Sequence, residues 1–171
     1  MSRENAIARA RANFDKGTFF DLLSHWVSHP TESQNEACKD PLQRYLTGAI
    51  KPYLENMGFS CRLADNPVNP RLPFLIGQRM EGEHLPTVLT YGHGDTVLAM
   101  DGRWRDGLEP WKVIQEGDRW YGRGTADNKG QHAINLAALG CVLEERRQLG
   151  FNVKVLIEMG EEMGSPGLHQ I

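Results

Sequence analysis

The sequence predicts an α/β protein in which a mostly parallel sheet is flanked by helices, and two observations lead to this prediction. Short apolar runs that are typical of strands alternate with longer stretches of helical periodicity. The clearest case is a strand pattern at residues 87–91, a helix pattern at 129–148 and a strand pattern at 153–159. Elements in this order predict a right-handed crossover and a parallel pair of strands. The 171 residues, 40% of them hydrophobic, suffice for one core of ordinary size.

The N-terminal third is predicted to be helical. Helical patterns cover residues 2–14 and 18–27. Ser33 and Glu36 have the spacing of a capping box, in which the serine caps the first turn and the glutamate reaches back to it. The helix that they open is predicted to continue as far as Gly58, a residue that commonly ends a helix.

The remaining elements are mostly strands. Each is a short apolar or alternating run between turns rich in glycine, proline, asparagine or acids. The helix at 129–148 has apolar positions on a wide arc, so it is predicted to be covered on more than one side. The predicted strands are residues 59–63, 74–79, 87–91, 111–115, 119–121 and 153–159.

Composition limits the classes of partner. The formal net charge is -3 and no basic cluster is present, which argues against nucleic acid or an anionic membrane as a partner. No apolar run is long enough to span a bilayer, and the first residues lack the apolar core of a signal peptide. The 3 cysteines are odd in number and widely spaced, which predicts a reducing compartment, the cytoplasm.

Three glycine-containing turns carry the candidate functional residues. His93 and Asp95 follow the strand pattern at 87–91, and Asp127 lies in a glycine-rich loop before the long helix. Glu161 and Glu162 follow the last strand pattern. In open α/β sheets, ligands bind at the edge where strands end, so these turns are predicted to converge on one site.

The residue types at these turns are suited to metal binding. Residues two apart on an extended backbone point to the same side, so Asp95 can orient the imidazole of His93 or act on water. A carboxylate such as Asp127 can bridge two ions about 3.5–4 Å apart. Glu161 and Glu162 point in different directions, so one can bind metal while the other faces water. The alternatives are a buried or surface histidine, a helix cap at Asp127 and a solvated pair of glutamates.

On these motifs the chain resembles the aminoacylase, carboxypeptidase G and acetylornithine deacetylase family of di-zinc hydrolases, which also contains the cytosolic dipeptidases. The similarity extends from about Phe19 to the last residue. The second motif and the sequence GSPGL at residues 164–168 are more similar to the dipeptidase branch than to the deacetylase branch. The motifs are GHGD at residues 92–95, YGRGTADNKG at 121–130 and EEMGS at 161–165.

The resemblance implies a zinc-exopeptidase-like three-layer sandwich and a role for each site residue. His93 would bind one zinc ion, Glu162 the other, and Asp127 would bridge both. Asp95 would orient His93, and Glu161 would be the general base. The family usually has a cis peptide bond after the bridging acid, here Asp127–Asn128. Two zinc ions are implied, with Co²⁺ or Mn²⁺ as substitutes.

The resemblance also implies that the site needs more residues. A catalytic zinc typically takes three protein ligands, and each ion here has two. The family supplies the missing acid and histidine beyond residue 171, together with a lid or dimerisation domain. Residues 1–171 are therefore expected to be the N-terminal part of a catalytic domain that alone binds zinc weakly and hydrolyses little.

Two functions follow as expectations. The full-length form would cleave a dipeptide or an N-acyl amino acid, and it could act as a homodimer. The alternative is a non-catalytic binding or assembly protein that retains the fold. Glu161 favours the enzyme, because a binding module has no need of a general base beside a metal ligand.

Overall fold

A computed structural model describes residues 2–171 and shows a four-stranded sheet packed against helices. A separate two-stranded hairpin follows the loop after the third strand. The helices are α1 (Arg3–Asp15), α2 (Thr18–Val27), α3 (Lys39–Arg44), α4 (Lys51–Asn56) and α5 (Lys129–Arg146). The strands are β1 (Ser60–Ala64), β2 (Phe74–Arg79), β3 (Thr87–His93), β4 (Ile114–Glu116), β5 (Arg119–Tyr121) and β6 (Asn152–Glu158).

The sheet has the strand order β1-β2-β6-β3. The parallel pair predicted from the crossover is present, since β3 and β6 run parallel with α5 between them in sequence. The other two pairings are antiparallel, so the described sheet is mixed rather than mostly parallel. The connection between β1 and β2, residues 65–73, is shorter than the dozen or so residues that a parallel crossover needs.

The helix predicted between Ser33 and Gly58 is instead a series of short segments. A 3₁₀ turn (Glu36–Cys38) precedes α3, and a π-helix (Tyr45–Ile50) joins α3 to α4. The predicted capping box is wrong, because Asn35 caps the first turn by accepting from the backbone N–H of Ala37. The backbone N–H of Ser33 donates instead to the carbonyl of Thr96, in another part of the chain.

The core lies between the helices and one face of the sheet. Val153, Val155 and Ile157 alternate along β6 and are buried in a cluster that includes Trp26 of α2 and Leu136 of α5. Burial of this kind is the main stabilising contribution to a fold of this size. Between residues 2 and 171, no helix has the length and apolar character needed to cross a membrane.

The opposite face of the sheet is less covered. Leu89 of β3 is 65% exposed and Tyr91 is 43% exposed. The exposure ends at the last two residues of β3, because Gly92 and His93 are both buried. The strand extends to His93, two residues further than predicted, so this histidine is the last residue of β3, an edge strand of the described sheet.

Candidate metal centre

The parallel pairing of β3 and β6 brings two of the predicted turns to the same edge of the sheet. His93 lies directly opposite Glu158 in the register, so the turn with Glu161 and Glu162 begins beside the end of β3. Parallel strands end at the same edge of a sheet. For this reason the order of elements in the sequence predicted that these two turns would lie close together.

His93 is held in one orientation by Asp95. The ring is 3% exposed, and its Nδ1 lies 3.1 Å from the backbone oxygen of Asp95 and 3.3 Å from the carboxylate Oδ1. Both neighbours accept hydrogen bonds, so Nδ1 carries the proton. Nε2 is then the ring nitrogen available to a ligand, as in metal-binding histidines whose other nitrogen donates to a carboxylate or carbonyl.

The other predicted residues converge on Nε2 of His93. The Oδ1 atom of Asp127 lies 3.1 Å away and the Oε2 atom of Glu161 lies 3.6 Å away. His93, Glu161 and Glu162 each offer a ligand atom within 4.8 Å of the others. That group does not include Asp127, the predicted bridging residue, which contacts the cluster through Nε2 of His93.

Asp95 also holds the turn that carries the two glutamates. Its carboxylate is fully buried, and Oδ1 accepts from the backbone N–H of Glu161 while Oδ2 accepts from that of Glu162, both at 3.2 Å. Hydrogen bonds to an ionised acceptor are among the stronger ones in proteins. One side chain thus fixes the imidazole and both glutamate backbones relative to each other.

The loop before α5 is tied to β3 by Asn128. Its side-chain Oδ1 accepts from the backbone N–H of His93 at 3.2 Å. The Asp127–Asn128 peptide bond is cis, as the resemblance implied. Asp127 is not the helix cap, since Asn128 occupies that position, and the Asp127 side chain is 72% exposed. Its carboxylate is therefore free to face a ligand.

The charges of the site favour a cation. Burial opposes protonation of His93, but the hydrogen bond and charge of Asp95, with the charge of Glu161, raise its pKa to about 9. The pKa of Glu162 is raised first by burial and then by the charge of Asp127. Carboxylates that repel one another around an imidazole match the donor set of a divalent ion such as Zn²⁺.

Several residues near the site had no sequence signal of their own. His132 lies one helical turn after Asn128, and residues four apart share a helix face. The hydroxyl of Thr31 donates to the carbonyl of Gly94 at 2.6 Å. The ammonium of Lys129 is buried over the ring of Tyr45 and donates to the carbonyl of His29.

The tryptophans near the motifs have packing roles. Trp120 stacks on aromatic rings of the first two helices, and Trp104 lies beneath the guanidinium of Arg123. The remaining histidines, His25, His84 and His169, are not part of the cluster.

A histidine–carboxylate cluster at the carboxyl edge of a sheet flanked by helices is an arrangement suited to binding a divalent metal ion. Residues 89–171 match the family model described as Peptidase family M20/M25/M40. Over residues 89–171 the chain is a match to this family, in agreement with the resemblance seen in its motifs.

Individual relatives and structures support the family and the fold. The chain is 30% identical over 149 residues to a cysteinylglycine-S-conjugate dipeptidase of Corynebacterium striatum, a match that covers 84% of this chain and 30% of that protein. It is 29% identical over 155 residues to the acetylornithine deacetylase of Proteus mirabilis, covering 91% and 38%. The crystal structure of human carnosine dipeptidase 1 superposes with a TM-score of 0.86 at 24% identity and covers 98% of this chain and 36% of that one. The chain thus spans about a third of the length of these proteins.

Proposed function

We propose that this chain forms the metal-binding part of a hydrolase that cleaves the amide bond of a dipeptide or an N-acyl amino acid. The observation that carries the proposal is the convergence of the Asp127 and Glu161 carboxylates on Nε2 of His93. The names of the two relatives, a dipeptidase and a deacetylase, support amide bonds as the target. The cytoplasmic location predicted from the cysteines belongs to the same proposal.

His93, Asp127 and Glu162 would hold the metal, with Asp127 shared between two zinc ions. Bound divalent ions would supply a water of lowered pKa and would stabilise negative charge on the carbonyl oxygen. Asp127 suits a shared position because its side chain is 72% exposed and its Oδ1 already lies against Nε2 of His93. Asp95 is a poor ligand, since both of its oxygens already accept backbone N–H groups.

Glu161 would move the proton. Its carboxylate is partly exposed and lies beside His93, so it can take a proton from the attacking water and pass it to the leaving amine. Its backbone is fixed by Asp95, which limits the positions that the carboxylate can reach. The geometry also allows Glu161 to bind metal, because it belongs to the group of ligand atoms within 4.8 Å.

Calorimetric titration of the 171-residue chain with Zn²⁺ tests the proposal and separates the two roles of Glu161. His93→Ala and Glu162→Gln are expected to weaken binding at least about tenfold, and Glu161→Gln to change it less than about threefold. A strong loss in Glu161→Gln would make Glu161 a ligand. If the unaltered chain bound no Zn²⁺, Co²⁺ or Mn²⁺, or if His93→Ala bound equally well, the metal site would be refuted.

The reaction itself is tested on a longer protein that contains this chain. Dipeptides and N-acetyl amino acids would be offered with and without a chelator, and hydrolysis that the chelator abolishes is expected. Metal binding without hydrolysis of either substrate class would favour the alternative, a non-catalytic protein that retains the fold.

A further inference from the structure

A buried chain of hydrogen bonds runs beneath the candidate metal centre. The hydroxyl of Tyr45 lies 2.6 Å from Nε2 of His132, and Nδ1 of His132 lies 3.2 Å from the side-chain oxygen of Asn128. The same oxygen accepts from the backbone N–H of His93 at 3.2 Å. The π-helix, α5 and β3 therefore meet through three side chains, which we call the Tyr45 relay (Tyr45, His132 and Asn128).

Each group in the relay has a single consistent role. The Asn128 oxygen can only accept, so Nδ1 of His132 is the donor and Nε2 accepts from the hydroxyl of Tyr45. This requires a neutral imidazole. Burial and the nearby charge of Lys129 lower the pKa of His132 to about 3, which keeps the ring neutral at ordinary pH.

The rings of the relay are held by their neighbours. The indole of Trp26 stacks on His132 with centroids 5.4 Å apart and an interplanar angle of 30°. The ammonium of Lys129 lies 4.8 Å from the centroid of the Tyr45 ring. Neither ring can turn without disturbing a packed core, so the relay presents a fixed acceptor to His93.

The relay explains why glycine flanks His93 on both sides. A Cβ at Gly94 would lie 2.3 Å from the Tyr45 ring, and one at Gly92 would lie 3.0 Å from the Asn128 oxygen and from Cβ of His132. The strand end that carries His93 is thus in direct contact with the relay on both sides of the histidine.

We propose that the Tyr45 relay is a positioning device that fixes the backbone of His93 against the Asp127–Asn128 turn. Asn128 directly follows Asp127. The residue whose side chain accepts from the backbone N–H of His93 therefore also fixes the position of the Asp127 backbone, from which its carboxylate extends. The relay thereby determines the separation of two proposed metal ligands. The inference rests on the proposed function, since it concerns residues that would hold the metal.

Two substitutions at His132 separate positioning from packing. Gln carries one donor and one acceptor at the end of its side chain and can replace both hydrogen bonds, whereas Leu fills space and makes neither. Tyr45→Phe removes only the hydroxyl that His132 accepts. Tyr53→Phe is the matched control, because Tyr53 also packs edge-on against Trp26 but is not part of the relay.

Two measurements are made on the 171-residue chain. Titration with Co²⁺, followed by its visible absorption, reports affinity and coordination geometry. Hydrogen exchange at the backbone N–H of His93, in the absence of metal, reports the bond to Asn128 directly. His132→Leu is expected to weaken Co²⁺ binding about tenfold or more, to change the spectrum and to accelerate exchange. Tyr45→Phe should shift both measurements in the same direction.

Rescue by the conservative variant decides the question. His132→Gln is expected to bind Co²⁺ within about threefold of the unaltered chain, and Tyr53→Phe is expected to leave both measurements unchanged. The inference is overturned if His132→Leu and His132→Gln have the same affinity for Co²⁺, whether both retain the affinity of the unaltered chain or both lose it. If the unaltered chain binds no Co²⁺, the proposed function fails, and exchange at His93 still decides whether the relay holds the backbone.

Discussion

The two sides of the candidate metal centre are built in opposite ways. On the imidazole side, His93 and Asp95 are buried, and their hydrogen-bonding groups are held by backbone and side-chain partners. On the carboxylate side, the side chains of Asp127 and Glu161 are largely exposed, at 72% and 45%. One side is part of the core, and the other faces solvent.

The difference shows that, within one site, some side chains mainly stabilise the fold and others are mainly available to bind a ligand. A buried, fully bonded group contributes to folding because its partners would be left unsatisfied without it. An exposed carboxylate contributes little to folding and is available to a ligand or a substrate. Substitutions on the two sides should therefore have different signatures, and the following predictions test that difference.

The largest effect is expected at Asp95. Asp95→Ala should lower the free energy of unfolding by about 3–5 kcal/mol, because it leaves the buried ring N–H of His93 and the backbone N–H groups of Glu161 and Glu162 without their carboxylate acceptor. Asp127→Ala, the control on the exposed side, should change it by less than about 0.5 kcal/mol. Urea unfolding at pH 7 without metal measures both. Equal losses would contradict the division.

A smaller effect is expected at the glycine that separates His93 from Asp95. A Cβ at Gly94 would meet the Tyr45 ring at 2.3 Å, so Gly94→Ala should destabilise the chain by about 1–3 kcal/mol through overpacking. Gly48→Ala is the control, since nothing lies within 4 Å of a Cβ there and alanine favours a helix. Thermal unfolding of the two variants compares them, and a neutral Gly94→Ala would show that the buried side is not tightly packed.

The buried side should also make stability depend on pH. The folded-state pKa of His132 is about 3, below its usual 6.5, because burial and then Lys129 disfavour the charged ring. The unfolded chain therefore binds a proton that the folded chain does not, and stability is lost as the pH falls below 6.5, by about 1.4 kcal/mol per pH unit.

His132→Gln isolates this contribution, because the glutamine does not titrate. Between pH 7 and pH 5 the unaltered chain should lose about 2 kcal/mol more than the variant in urea unfolding. The pKa of His29 is lowered to about 4 by burial and then by Lys129, and its contribution is present in both proteins and cancels. Identical pH profiles would mean that His132 is protonated in the folded state.

The sequence indicated the candidate site residues on both sides, including His93 and Asp95, better than the non-local contacts that hold the buried side in place. Glycine-flanked acids at strand ends are local signals, and the parallel pairing of β3 and β6 followed from the order of strand, helix and strand. The contact between Tyr45 and His132 joins residues 87 apart in the chain, and no local pattern indicates it. The antiparallel pairing of β2 with β6 is also non-local, because the pattern of a strand does not identify its neighbour.

The predicted cap at Ser33 failed for a related reason. Its spacing to Glu36 is correct for a capping box, but Thr31 and Ser33 are tied by backbone hydrogen bonds to Thr96, next to Asp95. A tertiary contact that supports the site thus overrides a local preference for a helix start. Sequence patterns identify the residues that face a ligand more readily than the residues that hold them in place.

The smallest effect, and one of opposite sign, is expected at Glu162. Its pKa is raised by burial and by the charge of Asp127, so the ionised carboxylate is disfavoured in the folded chain without metal. A carboxyl group whose pKa is raised in the folded chain lowers the free energy of unfolding as the pH rises above 4.5. Replacing Glu162 by the neutral glutamine removes this loss of stability. Glu162→Gln should leave the metal-free chain equally stable or more stable by up to about 0.5 kcal/mol, a small effect because the group is partly exposed and screened by salt.

The same substitution should weaken Zn²⁺ binding, because it removes a charged ligand atom from the cluster. A change that stabilises the empty protein and weakens the loaded one shows that the carboxylate is placed for a cation rather than for the fold. Urea unfolding with and without Zn²⁺ measures both quantities on one sample. If Glu162→Gln destabilised the metal-free chain by more than about 1 kcal/mol, Glu162 would have a structural role, and the carboxylate side would not differ from the imidazole side.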